Sequence, residues 1–172
     1  AFVAQLRAGP PPLARIDAVT AHALPGPVPD GFAIVESRHG ETGAEIAPDA
    51  ATCRNCLAEI GDPANRRDGH AFAACADCGP RYSIAEVVPY DRAGTTMRRF
   101  DMCAQCRAEY EDPANRRFHA QPIACPDCGP RLWLEDRNGP IDAPDPIDAA
   151  AQALRAGRIV AIKGLGGFHL AC

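Results

Sequence analysis

Apolar residues along this chain come in short runs broken by polar, glycine- and proline-rich stretches. Phe2-Val3-Ala4-Gln5-Leu6-Arg7 has the spacing of a helix end, closed by Gly9 and three prolines. Ile16-Asp17-Ala18-Val19 and Phe32-Ala33-Ile34-Val35 alternate as two strands around a Pro/Gly-rich turn. This helix–strand–strand order predicts, over residues 1–39, the tail of an α+β domain whose beginning lies upstream. A polar linker with Pro48 follows at 40–52. Leu57-Ala58-Glu59-Ile60 then reads as a helix-prone turn stopped by Gly61 and Pro63, and Arg107-Ala108-Glu109-Tyr110 repeats it before Pro113. Near the C-terminus, Ile147 to Leu154 form an amphipathic helix stopped by Gly157. Arg158-Ile159-Val160-Ala161-Ile162 is a buried-type strand running into the Gly-rich stretch Lys163 to Phe168. The pattern predicts an α+β, multi-module chain.

Composition argues against one large core. Hydrophobic residues make up 47% of the 172, but many are alanine, aromatics are 6%, and 15 glycines with 17 prolines imply many turns. Small modules held by something other than apolar burial fit better, since units below about 40 residues usually need metal or disulfides. The N-terminal stretch lacks the basic and continuous apolar regions of a signal peptide, and no run approaches the ~20 apolar residues that span a bilayer. The expected home is the reducing cytoplasm, with no membrane partner, and disulfides are accordingly disfavoured.

The chemistry sits in the cysteines. Eight of the nine form four C-x-x-C pairs: Cys53-Cys56, Cys75-Cys78, Cys103-Cys106 and Cys125-Cys128. Eighteen residues separate the first pair from the second and the third from the fourth, and the second block follows the first at an offset of fifty. One such turn presents two thiolates to a tetrahedral ion, and two complete a four-sulfur shell, so this spacing is a strong zinc signal. Aligned without gaps, residues 53–81 and 103–131 share 17 of 29 positions, including the string Asp-Pro-Ala-Asn-Arg-Arg and Cys-Gly-Pro-Arg. Duplication of one small unit is implied, with a pseudo-twofold repeat of zinc-ribbon-like or knuckle modules. Two zinc ions are expected, structural because no coordination place is left open. Zinc is preferred over iron on affinity order. Crossed pairing of the four turns respects the same symmetry as local pairing. Closing the longer loop costs only about 1 kcal/mol more, and local pairing is favoured because each repeat is complete.

Several other residues carry expectations. Gly79 and Gly129 follow the last cysteine of each block, where positive φ would turn N–H groups toward sulfur. His70 and His119 do not align, so neither is a shared ligand. Arg66-Arg67 and Arg116-Arg117 are expected to pair with the acids of their own repeats, the functional alternative being contact with neighbouring domains or an anionic substrate. The formal charge of −4 becomes −8 once two four-thiolate zinc sites add −2 each. That balance disfavours nucleic acid, the partner of the competing reading as a stand-alone zinc-ribbon module binding nucleic acid or protein. A thiol–disulfide module is a third reading, and it requires free thiols that zinc would occupy. Lys163 beside the Gly-rich turn is a weak candidate for phosphate or cofactor binding, the plain reading being a tight turn. Cys172 reads as a core residue rather than a nucleophile.

These pieces in this order resemble the HypF family, carbamoyltransferases of [NiFe]-hydrogenase maturation. The matching strings include Cys78-Gly79-Pro80-Arg81-Tyr82-Ser83-Ile84, Pro89-Tyr90-Asp91-Arg92, Thr95-Thr96-Met97, Arg116-Arg117-Phe118-His119-Ala120-Gln121-Pro122 and Lys163-Gly164-Leu165-Gly166-Gly167-Phe168-His169-Leu170. The resemblance implies an acylphosphatase-like (ferredoxin-like) tail at 1–39, a linker at 40–52, zinc module 1 at 53–84 and a linker at 85–102. It then implies zinc module 2 at 103–134, a linker at 135–146, and the first helix and strand of a YrdC-like α/β domain at 147–172. It further implies an enzyme that uses carbamoyl phosphate and ATP to form a carbamoyl-adenylate and carbamoylates the C-terminal cysteine of a HypE-like partner. Double-stranded RNA, conceivable only by YrdC-like analogy, is not expected. No catalytic residue is assigned to this segment, which by the resemblance is silent alone. Phe72-Ala73-Ala74-Cys75 departs from the family pattern, which often has polar residues there.

Overall fold

The computed structural model describes residues 2–10, 12–23, 25–26, 30–31, 45–164 and 167–172. Helix α1 (Phe2–Ala8) forms where the apolar spacing places it and ends ahead of Pro10. Ile16 to Val19 form no strand, because no described segment pairs with them. The companion strand expected at Phe32–Val35 lies outside the described residues.

The two modules follow one plan. Helix α2 (Arg54–Ile60) starts at Cys53, which is extended at φ −73° and ψ 162°, and stops at Gly61. Helix α3 (Ala104–Glu111) starts at Cys103, whose Sγ accepts from the Cys106 N–H at 3.5 Å. The first cysteine of each pair thus stands at a helix N-cap, and the second lies buried one turn in. Neither module contains a strand ladder among the described residues, and the second pair of module 1 sits on a tight knuckle with a single Cys75–Cys78 bridge.

The repeated string explains the return of the chain. Asp62 Oδ1 accepts from the Ala64 N–H at 2.9 Å, and Asn65 Oδ1 from the Arg67 N–H at 2.9 Å. Asp112 and Asn115 do the same for Ala114 and Arg117, each at 2.9 Å. Two side-chain turns in succession therefore fix the backbone on which each arginine pair is mounted. The next turn closes when Gly69 N–H donates to Ile60 O at 2.8 Å and His119 N–H to Tyr110 O at 2.9 Å. That closure needs positive φ, 64° at Gly69 and 50° at His119. His119 tolerates it packed between Tyr110 and Phe118, with ring centroids 4.8 and 4.6 Å away.

One glycine expectation is corrected. Gly79 has φ +90° but Gly129 lies outside the positive-φ region; the neighbouring Asp77 N–H does donate to Cys75 Sγ at 3.4 Å, while the glycines' own N–H groups bond elsewhere. Gly79 N–H donates to Ala50 O at 2.9 Å and Gly129 N–H to Cys125 O at 2.9 Å. What the two positions share is proximity: a Cβ on either would stand 2.6 Å from the Cβ of Ala74 or Ala124.

Residues 85–102, expected as a linker, are folded between the modules. Two 3-10 turns, Arg92–Gly94 and Thr96–Arg99, place Met97 against Ile84 and Ala124 in a small apolar cluster. Arg92 holds this segment to module 2. Its guanidinium donates to Gln121 O at 2.7 Å, Ile123 O at 3.0 Å and Phe100 O at 2.8 Å, while its N–H donates to Gln121 Oε1 at 2.8 Å. Tyr90 ties the same segment to module 1 through Pro80 O at 3.2 Å.

Beyond module 2, strands β1 (Leu134–Asp136) and β2 (Gly139–Ile141) form a hairpin inside the expected 135–146 linker, with Asp136 paired to Gly139. Arg137 and Asn138 make the two-residue turn, and Gly139, the first residue of β2, takes φ 118°, a region open to glycine. Helix α4 (Pro146–Arg155) begins at Asp145, whose Oδ1 accepts from Ile147 N–H at 2.8 Å and Asp148 N–H at 3.1 Å. Strand β3 (Val160–Gly164) pairs antiparallel with β4 (Gly167–Ala171). A strand does form, but at 160–164 rather than 158–162 and largely exposed rather than buried, and a second strand follows the Gly-rich stretch. Among the described residues no helix is long and apolar enough to cross a membrane.

Candidate metal centres and the charges around them

The eight paired cysteines gather into two clusters, Cys53, Cys56, Cys75 and Cys78, and Cys103, Cys106, Cys125 and Cys128. Pairing is local, the favoured of the two arrangements. Within each cluster the sulfurs lie within 4.8 Å of one another. Separations in the first are 3.8 Å for Cys53–Cys75, 3.8 Å for Cys75–Cys78 and 3.5 Å for Cys56–Cys78. In the second they are 3.8 Å for Cys103–Cys125, 3.7 Å for Cys125–Cys128 and 3.6 Å for Cys106–Cys128. Four sulfurs at the usual zinc–thiolate distance of about 2.3 Å stand about 3.8 Å apart along each tetrahedral edge. Disulfide sulfurs would lie only about 2.05 Å apart. The donor set and its dimensions fit two structural zinc ions.

Thiol acidity is divided within each cluster. Burial works to raise Cys53 and Cys103, but hydrogen bonds from the Cys56 and Cys106 N–H groups and from neighbouring sulfurs hold both down to about 7. Burial pushes Cys56 up, against the opposing Arg116, and pushes Cys106 up to about 12, against Arg66. Cys75 and Cys125 are also raised by burial. A dication is what allows all four sulfurs of such a set to ionise together, so metal uptake must expel protons.

The arginine pairs require the main correction. They do not pair with acids of their own repeat but cross to the other. Arg66 donates to Glu109 Oε2 at 2.9 Å and to Cys106 Sγ at 3.2 Å. Arg67 donates to Glu109 at 3.1 and 2.5 Å and, through Nε, to Ala124 O at 2.9 Å. Reciprocally, Arg116 donates to Cys56 Sγ at 3.2 and 3.3 Å and pairs with Glu59 at 2.8 Å. Arg117 pairs with Glu59 and donates to Ala74 O at 3.0 Å. The physical reason lies in the turns: Asp62 and Asp112 are committed to their own backbone, while Glu59 and Glu109 project from α2 and α3 toward the opposite repeat. Burial works to raise both glutamates, but the paired guanidiniums outweigh it and hold them below the usual carboxylate range. Ala74, one of the residues departing from the family pattern, contributes its backbone carbonyl here, which a side-chain change leaves in place.

Other sequence candidates lie apart. Among the described residues neither cluster contains a histidine. His70 is buried against Phe72, its Nε2 without a partner among the described residues, and burial lowers its pKa. Lys163 lies on β3 opposite Phe168, its Nζ 5.9 Å from that ring's centroid. Cys172 is exposed. Sequence reading quoted the half-buried Arg92 and the buried Gln121 within family-like strings but did not foresee that they bond each other.

Fold and site together define a duplicated four-cysteine zinc module set between helix and hairpin elements. The HypF finger family matches at residues 52–85 and again at 102–135. Carbamoyltransferase HypF of Rhodobacter capsulatus is 60% identical over 174 residues, covering 99% of this chain and 23% of the relative. Carbamoyltransferase HypF2 of Cupriavidus necator is 55% identical over 98% of this chain and 21% of the relative. Among solved structures, full-length HypF in its phosphate- and nucleotide-bound form superposes with TM-score 0.87 at 43% identity, over 98% of this chain and 22% of that one. HypF of T. kodakarensis gives 0.81 at 47% identity, over 99% and 21%. The chain belongs to the HypF family. It spans less than a quarter of the length of the relatives it matches.

Proposed function

We propose that this chain is the zinc-binding central segment of a HypF-type carbamoyltransferase. Cys53, Cys56, Cys75 and Cys78 hold one zinc ion, and Cys103, Cys106, Cys125 and Cys128 hold the other. Bound there, zinc supplies folding free energy, about 10–16 kcal/mol per site in comparable peptides, rather than a Lewis acid, since sulfur fills every position. The observation that carries the reading is the pair of sulfur tetrahedra within a chain 60% identical to a HypF carbamoyltransferase. Residues 1–39 belong to an acylphosphatase-like domain and 147–172 to a YrdC-like domain, and the modules join them. The whole enzyme takes carbamoyl phosphate and ATP, forms a carbamoyl-adenylate and carbamoylates the C-terminal cysteine of a HypE-like protein in the cytoplasm. Lys163, beside the hairpin turn, belongs to the nucleotide-handling part.

Two features support this over a free-standing nucleic-acid module. The two arginine pairs, the densest basic spots on the modules, are spent on glutamates and sulfur instead of facing outward as a phosphate-binding stripe. The second is the formal charge of −4, before any thiolate is counted. The test is full-length, zinc-loaded protein incubated with carbamoyl phosphate, ATP and a HypE-like acceptor, read by mass spectrometry of the acceptor's C-terminal peptide. A carbamoyl adduct dependent on both substrates is expected, and its absence from protein carrying two zinc ions would overturn the assignment.

A further inference from the structure

We propose that the two arginine pairs are reciprocal counter-ions, each neutralising the zinc thiolates of the opposite repeat, so that the two metal sites are loaded and lost as a coupled pair. This rests on the zinc reading above and extends it to residues that are not ligands.

A four-thiolate zinc site carries a net −2 in a largely dry environment, where unbalanced charge is costly. Arg66 and Arg67 reach Cys106 Sγ of the second cluster while sharing Glu109, and Arg116 reaches Cys53 and Cys56 Sγ of the first while sharing Glu59 with Arg117, so two positive charges offset most of the −3 of each zinc site with its glutamate. Their side chains are not surface decoration. Arg67 is 2% exposed and Arg117 4%, and each spends Nε on a backbone carbonyl immediately before the third cysteine of the opposite cluster. Guanidinium N–H groups donate to Cys106 and Cys56 Sγ at 3.2–3.3 Å, in each set a fully buried cysteine. Groups that donate to metal-bound sulfur typically change metal affinity by about 10–100-fold when removed.

Coupling follows from where each pair is mounted. The Asp-Pro-Ala-Asn turn that aims Arg66 and Arg67 lies between the first and second C-x-x-C of module 1. Loss of zinc from module 1 frees that loop and withdraws both positive charges from module 2. The same holds in reverse for Arg116 and Arg117. One backbone bond adds to the joint: Ala76 N–H, in the knuckle of module 1, donates to Arg116 O at 3.1 Å. Its counterpart Pro126 has no N–H, so this bond is made once.

The test uses the zinc-loaded full-length enzyme, with chelator competition followed by maleimide labelling and peptide mass spectrometry to report each cluster separately. Arg66→Gln leaves the Arg67 bond to Ala124 O in place and preserves folding better than the double Arg66→Ala/Arg67→Ala. For both, the expected result is about a tenfold or greater weakening of the second cluster, at least as large as at the first, with Arg66→Lys restoring part of it. Arg116→Gln should mirror this at the first cluster. Cys103→Ser/Cys106→Ser, which empties the second site, should speed zinc loss from the first. Wild-type labelling at both clusters in Arg66→Gln, weakening confined to the variant's own repeat, or an unaffected first site in the cysteine variant would overturn the coupling. Failure of the parent enzyme to hold two zinc ions would instead defeat the zinc reading itself.

Discussion

Placing a methyl group at Gly129 tests how tightly the second knuckle is packed around its metal. The added Cβ would lie 2.6 Å from Ala124 Cβ and 3.0 Å from Cys125 O, closer than real Cβ atoms approach a neighbouring methyl. Ala124 cannot retreat: it is 1% exposed, its carbonyl is held by Arg67 at 2.9 Å, and it packs with Ile84 and Met97. Cys125 O is likewise held, accepting from Gly129 N–H at 2.9 Å and Cys128 N–H at 3.2 Å. Overpacking of a fixed interior costs about 1–3 kcal/mol, which corresponds to roughly fivefold to a hundredfold in zinc affinity because folding and binding are linked. Gly129→Ala should therefore weaken the second cluster by that factor in a chelator competition titration of the zinc-saturated full-length protein. The decisive variant is Ala124→Gly/Gly129→Ala, in which one methyl is removed where the other is added. It should regain at least about 1 kcal/mol over Gly129→Ala alone, a strongly non-additive result. At Gly79 the same exchange with Ala74→Gly should rescue only part of the loss. Its φ of +90° adds backbone strain of about 1–2 kcal/mol that no cleared space removes. Additivity of the Ala124 and Gly129 substitutions would refute the packing argument.

Two further outcomes follow from particular bonds. Glu59 and Glu109 have carboxyls held below the usual range, so their ion pairs stabilise fully above the unfolded carboxylate pKa of about 4.3 and fade as pH falls through the lower folded value. The deficit of Glu59→Gln in zinc retention should accordingly be full at pH 7 and shrink toward zero below that range; a pH-independent deficit would show that the charge is not what matters. Asp145→Ala removes acceptance from Ile147 and Asp148 N–H at the start of α4 and should cost about 1 kcal/mol, read as roughly fivefold faster amide exchange within Ala149–Arg155.

What could be read from residue order and what could not divide along the range of the interaction. The C-x-x-C turns, the helices α2, α3 and α4, and the local grouping of sulfurs depend on residues at most about two dozen apart, and spacing carries that information. The Asp-Pro-Ala-Asn-Arg-Arg string was visible as a repeat, but its destination was not. An arginine that reaches a glutamate forty-odd or fifty-odd positions away leaves the same trace as one that reaches its own helix. Residues 85–102 were expected as a linker from the resemblance, and nothing local in Val87, Met97 and Phe100 signals otherwise. Their order comes from the guanidinium of Arg92 on three backbone carbonyls, a long-range arrangement. The β1–β2 hairpin was a different case: Asn138 and Gly139, both turn-favouring residues, lay within a stretch read as spacer. Gly129 was misread because a glycine after a turn serves either dihedral freedom or close approach, and only packing tells which.

The crossed arginines also bear on why the unit is doubled at all. A single block from Cys53 to Arg81 would hold a dianionic metal site and Glu59 with none of its own arginines on either, while Arg66 and Arg67 would lose Glu109, Cys106 and Ala124. Two such blocks facing each other solve both problems at once, since each supplies the charge the other lacks. The same facing brings Ala124 of one module onto Ile84 and Met97, adding apolar contact too small to sustain either half alone. Buried ion pairs recover their desolvation cost only with good geometry and every donor satisfied. Here the donors are satisfied by carboxylate, thiolate and carbonyl together, a set drawn from both repeats. On the coupling proposed above, the smallest unit expected to fold is the pair of modules with the 85–102 segment between them, and a single finger expressed alone with zinc should fail to give dispersed amide resonances.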